Sequence, residues 1–220
     1  MAAIPVPYTG TGNNSQVVLG HYGVGHLSGA IAATPTALDP HARIRWAPSN
    51  TSAYLVLMRL KYGYHVLTAI TAAVRMSYQA SIVRGFSVDF TTAITNINLA
   101  TVAKSNAMRG TMGNSLMGTA GPGICTTAPL SGHTYTLDTA PFCFNAMPPL
   151  TGTNATGTVV TLSLGMGSKA EPLYEWTGLG QHPVVLSNLE GVVVQLVHTG
   201  HATGTVSEFA QWEWGETLVF

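Results

Sequence analysis

His182-Pro183-Val184-Val185-Leu186-Ser187-Asn188-Leu189-Glu190-Gly191-Val192-Val193-Val194-Gln195-Leu196-Val197, then a Gly/Thr turn and the run Val206 to Trp214, decides the fold. A β-branched run, a polar turn and a second run ending in alternating Trp and Glu predict two consecutive antiparallel strands. They read as the closing hairpin of an all-β sandwich. Nothing in this block has the pattern of a chemical site, and a sandwich without chemistry works through its surfaces.

The rest of the chain agrees with that class. Arg43-Ile44-Arg45-Trp46 alternates as a half-buried strand does. Ala53 to Leu60, with Tyr62, Tyr64 and Val66 beyond it, reads as one central strand or as two broken at Gly63. Ser81 to Thr92, Thr134 to Asp138 and Thr158 to Leu164 are further strands, and Pro172 to Gly180 reads as irregular. Thr68 to Met76 carries the only helical spacing, enough for one turn. Many short strands between turn signals predict an antiparallel β-sandwich of jelly-roll type over residues 43–220. Residues 1–42 are rich in Gly, Pro, Thr, Ala and Asn, with one short apolar strand candidate at Gln16 to Leu19. They read as an extended arm that becomes ordered by lying over a neighbouring subunit.

Composition narrows the function. The 220 residues read as one domain or a domain with a small appendage, long enough to bury roughly two-thirds of the unfolded surface. Only 8% of them are charged, against about 25% in an ordinary soluble domain. Disorder does not account for this, because 46% of the chain is hydrophobic. Nor does a membrane helix, which needs about 18 uninterrupted apolar residues. The nearest stretch, Val17 to Ala33, is broken by His21, His26, Ser28 and four glycines. No basic start, apolar core and cleavage site opens the chain, so a secretory leader is not expected. What remains is a fold with an apolar, Thr/Gly/Ala-rich surface of the kind covered by neighbours. A homo-oligomer is expected, with no membrane partner.

Charge is uneven along the chain, with a net +6 up to residue 109 and a net −6 from residue 110 onward. Two readings fit: pairing between strands of one sandwich, or complementary surfaces on adjacent subunits. The basic residues stand singly, and the first 42 residues hold no Lys or Arg, so no direct nucleic-acid contact is expected. Cys125 and Cys143 can form one disulfide, but without a secretory signal they read better as reduced, partly buried thiols.

Candidate sites are sparse. Gly23-Val24-Gly25 followed by Gly29 is one residue off a dinucleotide fingerprint and lacks a βαβ setting, so a flexible glycine segment is the simpler reading. His198 and His201, with Glu213 and Glu216 on a neighbouring strand, have metal-ligand chemistry but are expected at an exposed hairpin tip. Glu175, Glu190, Glu208 and Glu213 read as solvated carboxylates at strand edges or turns. No nucleophile with a base is found. Asn13, Asn50 and Asn154 head glycosylation triplets, which mean little in a Thr-rich chain. Trp46, Trp176, Trp212 and Trp214 offer a sugar-stacking platform, against the commoner role of packing. The expectation is therefore no catalytic, cofactor-binding or metal residues, and no enzyme.

Several segments resemble a family. Arg109-Gly110-Thr111-Met112-Gly113-Asn114-Ser115-Leu116 resembles a recurrent "LRTSMGTSL" segment of tailed-bacteriophage structural proteins. Thr126 to Asp138 is similar to "TTAALTAGTYTLD", and His182 to Val194 to "YPLVLAQNEGFVV". Trp212-Glu213-Trp214-Gly215-Glu216 resembles "VEWAE", and Ile44-Arg45-Trp46 resembles an "lRW" before the first long strand. The segments run in matching order from about residue 43 to 216, and the chain departs from the pattern in its cysteines and Trp176. The resemblance implies a virion component, found in the particle and assembled in the host cytoplasm. The expected role is a capsid-associated cement or decoration subunit, a homotrimer or similar assembly, with the major capsid protein or other virion proteins as partners. The alternative is a carbohydrate-binding module of a phage tail or baseplate.

Overall fold

The computed structural model describes residues 18–32, 34–71, 76–97, 114–117, 121–145, 159–161, 172–178 and 182–218. Among these there is no helix, and the strands in chain order are β1 (Val18–Leu27), β2 (Pro40–Trp46), β3 (Tyr54–Thr68), β4 (Tyr78–Val88), β5 (Ile94–Asn96), β6 (Gly123–Cys125), β7 (Thr134–Leu137), β8 (Cys143–Asn145), β9 (Val159–Thr161), β10 (Tyr174–Glu175), β11 (Val184–Leu186), β12 (Glu190–Leu196) and β13 (Thr205–Thr217). They form two wholly antiparallel sheets packed face to face. One runs β1-β13-β3, with β9, β10 and β11 along the far side of β3. The other runs β5-β6-β2-β12-β4, with β7 and β8 along the far side of β4.

The pairing order shows how the chain winds. β1 pairs with β13, β2 with β12, β3 with β9 to β11, and β4 with β7 and β8. That is one long antiparallel ribbon, outer strands with outer and inner with inner. Pairing of β3 with β13 and of β4 with β12 then rolls the ribbon into two sheets. This is the winding of a jelly roll.

The last forty residues fold differently from the expected closing hairpin. β12 and β13 lie in different sheets, and each has both edges occupied by other strands. Val192, Val193 and Val194 are wholly buried between β2 and β4, as the continuous apolar run of a central strand requires. β13 alternates buried and half-buried positions between β1 and β3. The run 182–197 is itself divided, with β11 in the first sheet and β12 in the second. Leu189 makes that crossing at φ 62°, a left-handed conformation that costs a non-glycine residue about 1–2 kcal/mol. Its amide donates to the Trp46 carbonyl at 2.8 Å and its carbonyl accepts from Phe86 N at 2.7 Å, which holds the turn.

The N-terminal boundary also moves. Residues 1–42 are not an arm throughout: β1 pairs with β13 over nearly its whole length, and Ile31 bridges Val206. Tyr22, wholly buried, stacks on Trp214 at 5.6 Å, so intramolecular packing orders this segment. The remainder of the expected arm, residues 1–17, lies outside the described residues. Gly63 does not break β3, which runs through it and pairs there with Phe209 and Thr161. Thr68 of the expected helical turn closes β3, and residues 72–75 are outside the described set. Pro172 to Gly180 contains the short strand β10.

The core holds Trp46, Trp212, Trp214, Tyr22, Tyr62, Tyr64, Tyr78 and Phe86, all buried. Close packing also explains Gly191 in β12, where a Cβ would lie 2.5 Å from the Ile44 carbonyl oxygen and 2.9 Å from the Phe86 ring. Gly191→Ala should therefore lower unfolding stability by about 1–3 kcal/mol in a urea titration. Gly25→Ala, whose Cβ meets its nearest atom at 3.8 Å, should stay within about 0.5 kcal/mol of the parent. Equal effects at the two positions would refute this account of the central strand.

Candidate functional site

Alternation along β13 places Val206, Glu208, Ala210, Trp212, Trp214 and Glu216 on its buried side. Two carboxylates therefore enter the interior on the same stripe as two tryptophans. Glu208 is fully buried, and its partners come from both sheets. Tyr62 on β3, within its own sheet, donates to Oε2 at 2.5 Å. From the opposite sheet, Tyr78 on β4 donates to Oε1 at 2.7 Å, and His41 Nδ1 on β2 lies 2.8 Å from Oε2. Cys125 Sγ on β6 donates to Oε2 at 3.6 Å. Four residues 83 to 167 positions distant in sequence thus converge on one carboxylate.

The electrostatics follow from burial. Desolvation alone pushes the Glu208 carboxyl up, but His41 and the hydroxyls of Tyr62 and Tyr78 outweigh it and hold the group below its ordinary value. The same burial, with the Glu208 charge beside it, pushes the Cys125 thiol far up. A thiol kept protonated in this way is inert as a nucleophile. His41, Cys125, Tyr62, Tyr78 and Glu208 are all buried, so the node is a solvent-excluded polar centre. Its donor set of one ring nitrogen, one sulfur and one carboxylate has metal-ligand chemistry, with the three ligand atoms within 4.8 Å of one another.

A second node sits farther along β13. Glu216 accepts from Ser115 Oγ at 2.5 Å, from Leu116 N at 3.0 Å and from Trp214 Nε1 at 3.0 Å. It ties the 114–117 segment to the last strand. Burial raises its carboxyl, with those three donors opposing. A third node is Arg43, fully buried, which donates through Nε to Asp89 at 2.8 Å and through Nη2 to Asn96 Oδ1 at 2.6 Å, and also to the Gly121 carbonyl. It fastens β5 and the segment leading into β6 onto β2.

Several residues singled out in the sequence lie elsewhere. Gly23 and Gly25 are in β1, a strand edge and not a phosphate loop, and Gly29 packs so closely that a Cβ would lie 2.6 Å from the Thr126 carbonyl oxygen. His198 is exposed, but His201 is buried and not at an exposed tip. Glu213 pairs with Arg59 and Glu216 is taken by Ser115, so these carboxylates do not join the two histidines as a ligand group among the described residues. Glu208 is the clearest correction: it is a buried inter-sheet carboxylate, because it shares the inward parity of Trp212 and Trp214. That parity was the available signal. Trp46, Trp212 and Trp214 are fully buried and Trp176 is half-buried, so the first three serve the packing role and form no stacking platform on the described surface. Asn50 is exposed, whereas Asn13 and Asn154 lie outside the described residues. The cysteines are free thiols, Cys125 buried and Cys143 half-buried, and burial pushes Cys143 up to about 12.

The fold and these nodes define an all-β jelly-roll sandwich whose polar groups are drawn inward between its sheets. The chain matches no protein-family model, no curated protein and no solved structure, so its resemblance to phage proteins rests on the quoted motifs alone.

Removing Glu208 leaves a buried histidine and two hydroxyls without their acceptor, and Glu208→Ala should cost about 3–5 kcal/mol in denaturant unfolding. A loss under about 1 kcal/mol would show that the node does not bind the sheets. Acid should act in two stages. Burial, helped by Arg43, holds His26 down at about 4, and burial lowers His21 and His201 as well. These rings are neutral in the fold, so their contribution is complete above the ordinary histidine value of 6.5 and is lost as the pH falls towards 4. Glu208, held low, adds a loss below the ordinary carboxylate value, while Glu216, held high, works in the opposite sense just above it. Urea midpoints should thus fall from pH 7 to pH 4 (the order of these shifts), and His26→Gln should flatten that slope. A midpoint that rises on acidification would contradict the assignment.

Proposed function

We propose that this chain is a structural subunit of a virus particle, a capsid-associated cement or decoration protein that works through contacts with its own copies and with capsid protein. The carrying observation is how little charge the described surface retains. Among the described residues, the exposed charged side chains are Arg84 and Glu175, and both are engaged within the molecule. Arg84 pairs with Asp138 at 2.8 Å and with Glu190, and Glu175 lies 3.8 Å from Arg59. Arg59 and Arg84 of the basic first half thus pair with carboxylates of the acidic second half, whereas Arg43 pairs with Asp89 of its own half. Arg43, Glu208 and Glu216 are buried.

A surface so short of free charge gains little from water and loses little when a neighbour covers it. Apolar groups also stand on it, with Leu27 68% and Phe144 66% exposed. Jelly rolls are used by viral capsid proteins, and the motif resemblance points to the same class, although a fold alone assigns no function. Two of the segments that carry the resemblance touch each other, through Ser115, Leu116 and Glu216.

The purified protein should be a trimer or similar homo-oligomer by mass photometry at nanomolar concentration. It should also bind particles assembled without it and raise their resistance to heat. A monomer at all concentrations that leaves such particles unchanged would overturn the proposal.

A further inference from the structure

We propose that His41, Cys125 and Glu208 form a binding site for a zinc-class divalent metal ion at the centre of the sandwich. The three donors are a ring nitrogen, a thiol sulfur and a carboxylate oxygen, brought together from β2, β6 and β13. Such a mixed set is characteristic of zinc, whose ligands bind at about 2.0–2.1 Å for nitrogen and oxygen and about 2.3 Å for sulfur.

The spacing suits that ion. In a tetrahedron with those bond lengths, sulfur and oxygen stand about 3.5 Å apart, and nitrogen and oxygen about 3.3 Å. Here Cys125 Sγ lies 3.6 Å from Glu208 Oε2, so that edge is already in place. His41 Nδ1 lies 2.8 Å from the same oxygen, so that edge must open by about half an ångström as the ion replaces the proton between them. Tyr62 Oη, 2.5 Å from Oε2, is the nearest further oxygen donor. Tyr78 holds the other carboxylate oxygen at 2.7 Å, the outer-shell bond that orients a ligating carboxylate.

Charge balances in the bound state. The Cys125 thiol releases its proton to solvent, and the ion takes the place of any proton on His41 Nδ1, leaving a neutral ring with its proton on Nε2. A thiolate and a carboxylate then face a doubly charged ion beside a neutral ring, and nothing is oxidised or reduced. Among the described residues His41 Nε2 has no hydrogen-bond partner, so no existing bond opposes the tautomer change. Because the site is enclosed by both sheets, the ion enters as the chain folds. The inference does not rest on the virion reading.

The test uses the full chain without a histidine tag, unfolded in denaturant and refolded with zinc sulfate, with cobalt(II) chloride or with a chelator. The expected result is one zinc retained per chain after gel filtration. The cobalt form should show a sulfur-to-cobalt charge-transfer band in the near ultraviolet and intense visible bands of a tetrahedral ion. Cys125→Ser should abolish the charge-transfer band, and Cys143→Ser should keep it. Should Cys125→Ser fail to fold, zinc-edge X-ray absorption on the unmodified chain decides: one sulfur at about 2.3 Å with nitrogen and oxygen near 2.0 Å is expected. No retained metal, a charge-transfer band that survives Cys125→Ser, or a first shell with no sulfur or several would overturn the proposal. Those results would leave the particle-binding experiment unaffected, and its failure would leave these results standing.

Discussion

The carboxylate of Glu208 is the constraint on which the sandwich depends. It is a full charge placed where two sheets meet, and only partners from both can satisfy it. Tyr62 reaches it from its own sheet, and His41, Tyr78 and Cys125 reach it from the other. Apolar packing tolerates small slips of one sheet over another, because a valine accepts many neighbours. A buried carboxylate with three short hydrogen bonds does not. Glu208 thus sets the register of sheet on sheet, and the tryptophans and tyrosines around it add cohesion.

The same economy of charge runs through the molecule. Arg43 and Glu216, like Glu208, are buried and hydrogen-bonded, and each fastens a non-regular segment to a strand. Arg59 and Arg84 neutralise acidic residues from the other half of the sequence. Among the described residues most charges are buried or paired across neighbouring strands, which leaves much of the described exterior to Thr, Gly, Ser and scattered apolar side chains. The chemistry of the interior and the character of the surface therefore have one cause.

Much of the strand content was legible because local patterns report local structure. Alternation over Arg43 to Trp46, Ser81 to Val88 and Val206 to Trp214 lies on observed strands, whereas Asp89 to Thr92, read as the end of the second run, follows β4. Partner choice was not legible in the same way. The runs around Val192 and Trp212 are consecutive, and a hairpin is the nearest local solution. A central strand buried on both faces needs two neighbours of its own, and β2 and β4 take both edges of β12. Most of β1 was hidden for a related reason: beyond the strand candidate that ends at Leu19, its three glycines and two histidines have weak strand propensity, and pairing with β13 overrides it.

By itself the sequence determined the class, an all-β sandwich of low charge, since composition and period-two alternation follow from each residue's own chemistry. It also held the inward parity of Glu208, on the stripe of Trp212 and Trp214. Only the tertiary structure decided that this carboxylate meets His41, Tyr62, Tyr78 and Cys125. Those contacts span 83 to 167 residues, and no local propensity encodes them. They exist because rolling the ribbon into two sheets brings β2, β4 and β6 over β13, and a buried charge is stable only where such partners arrive together.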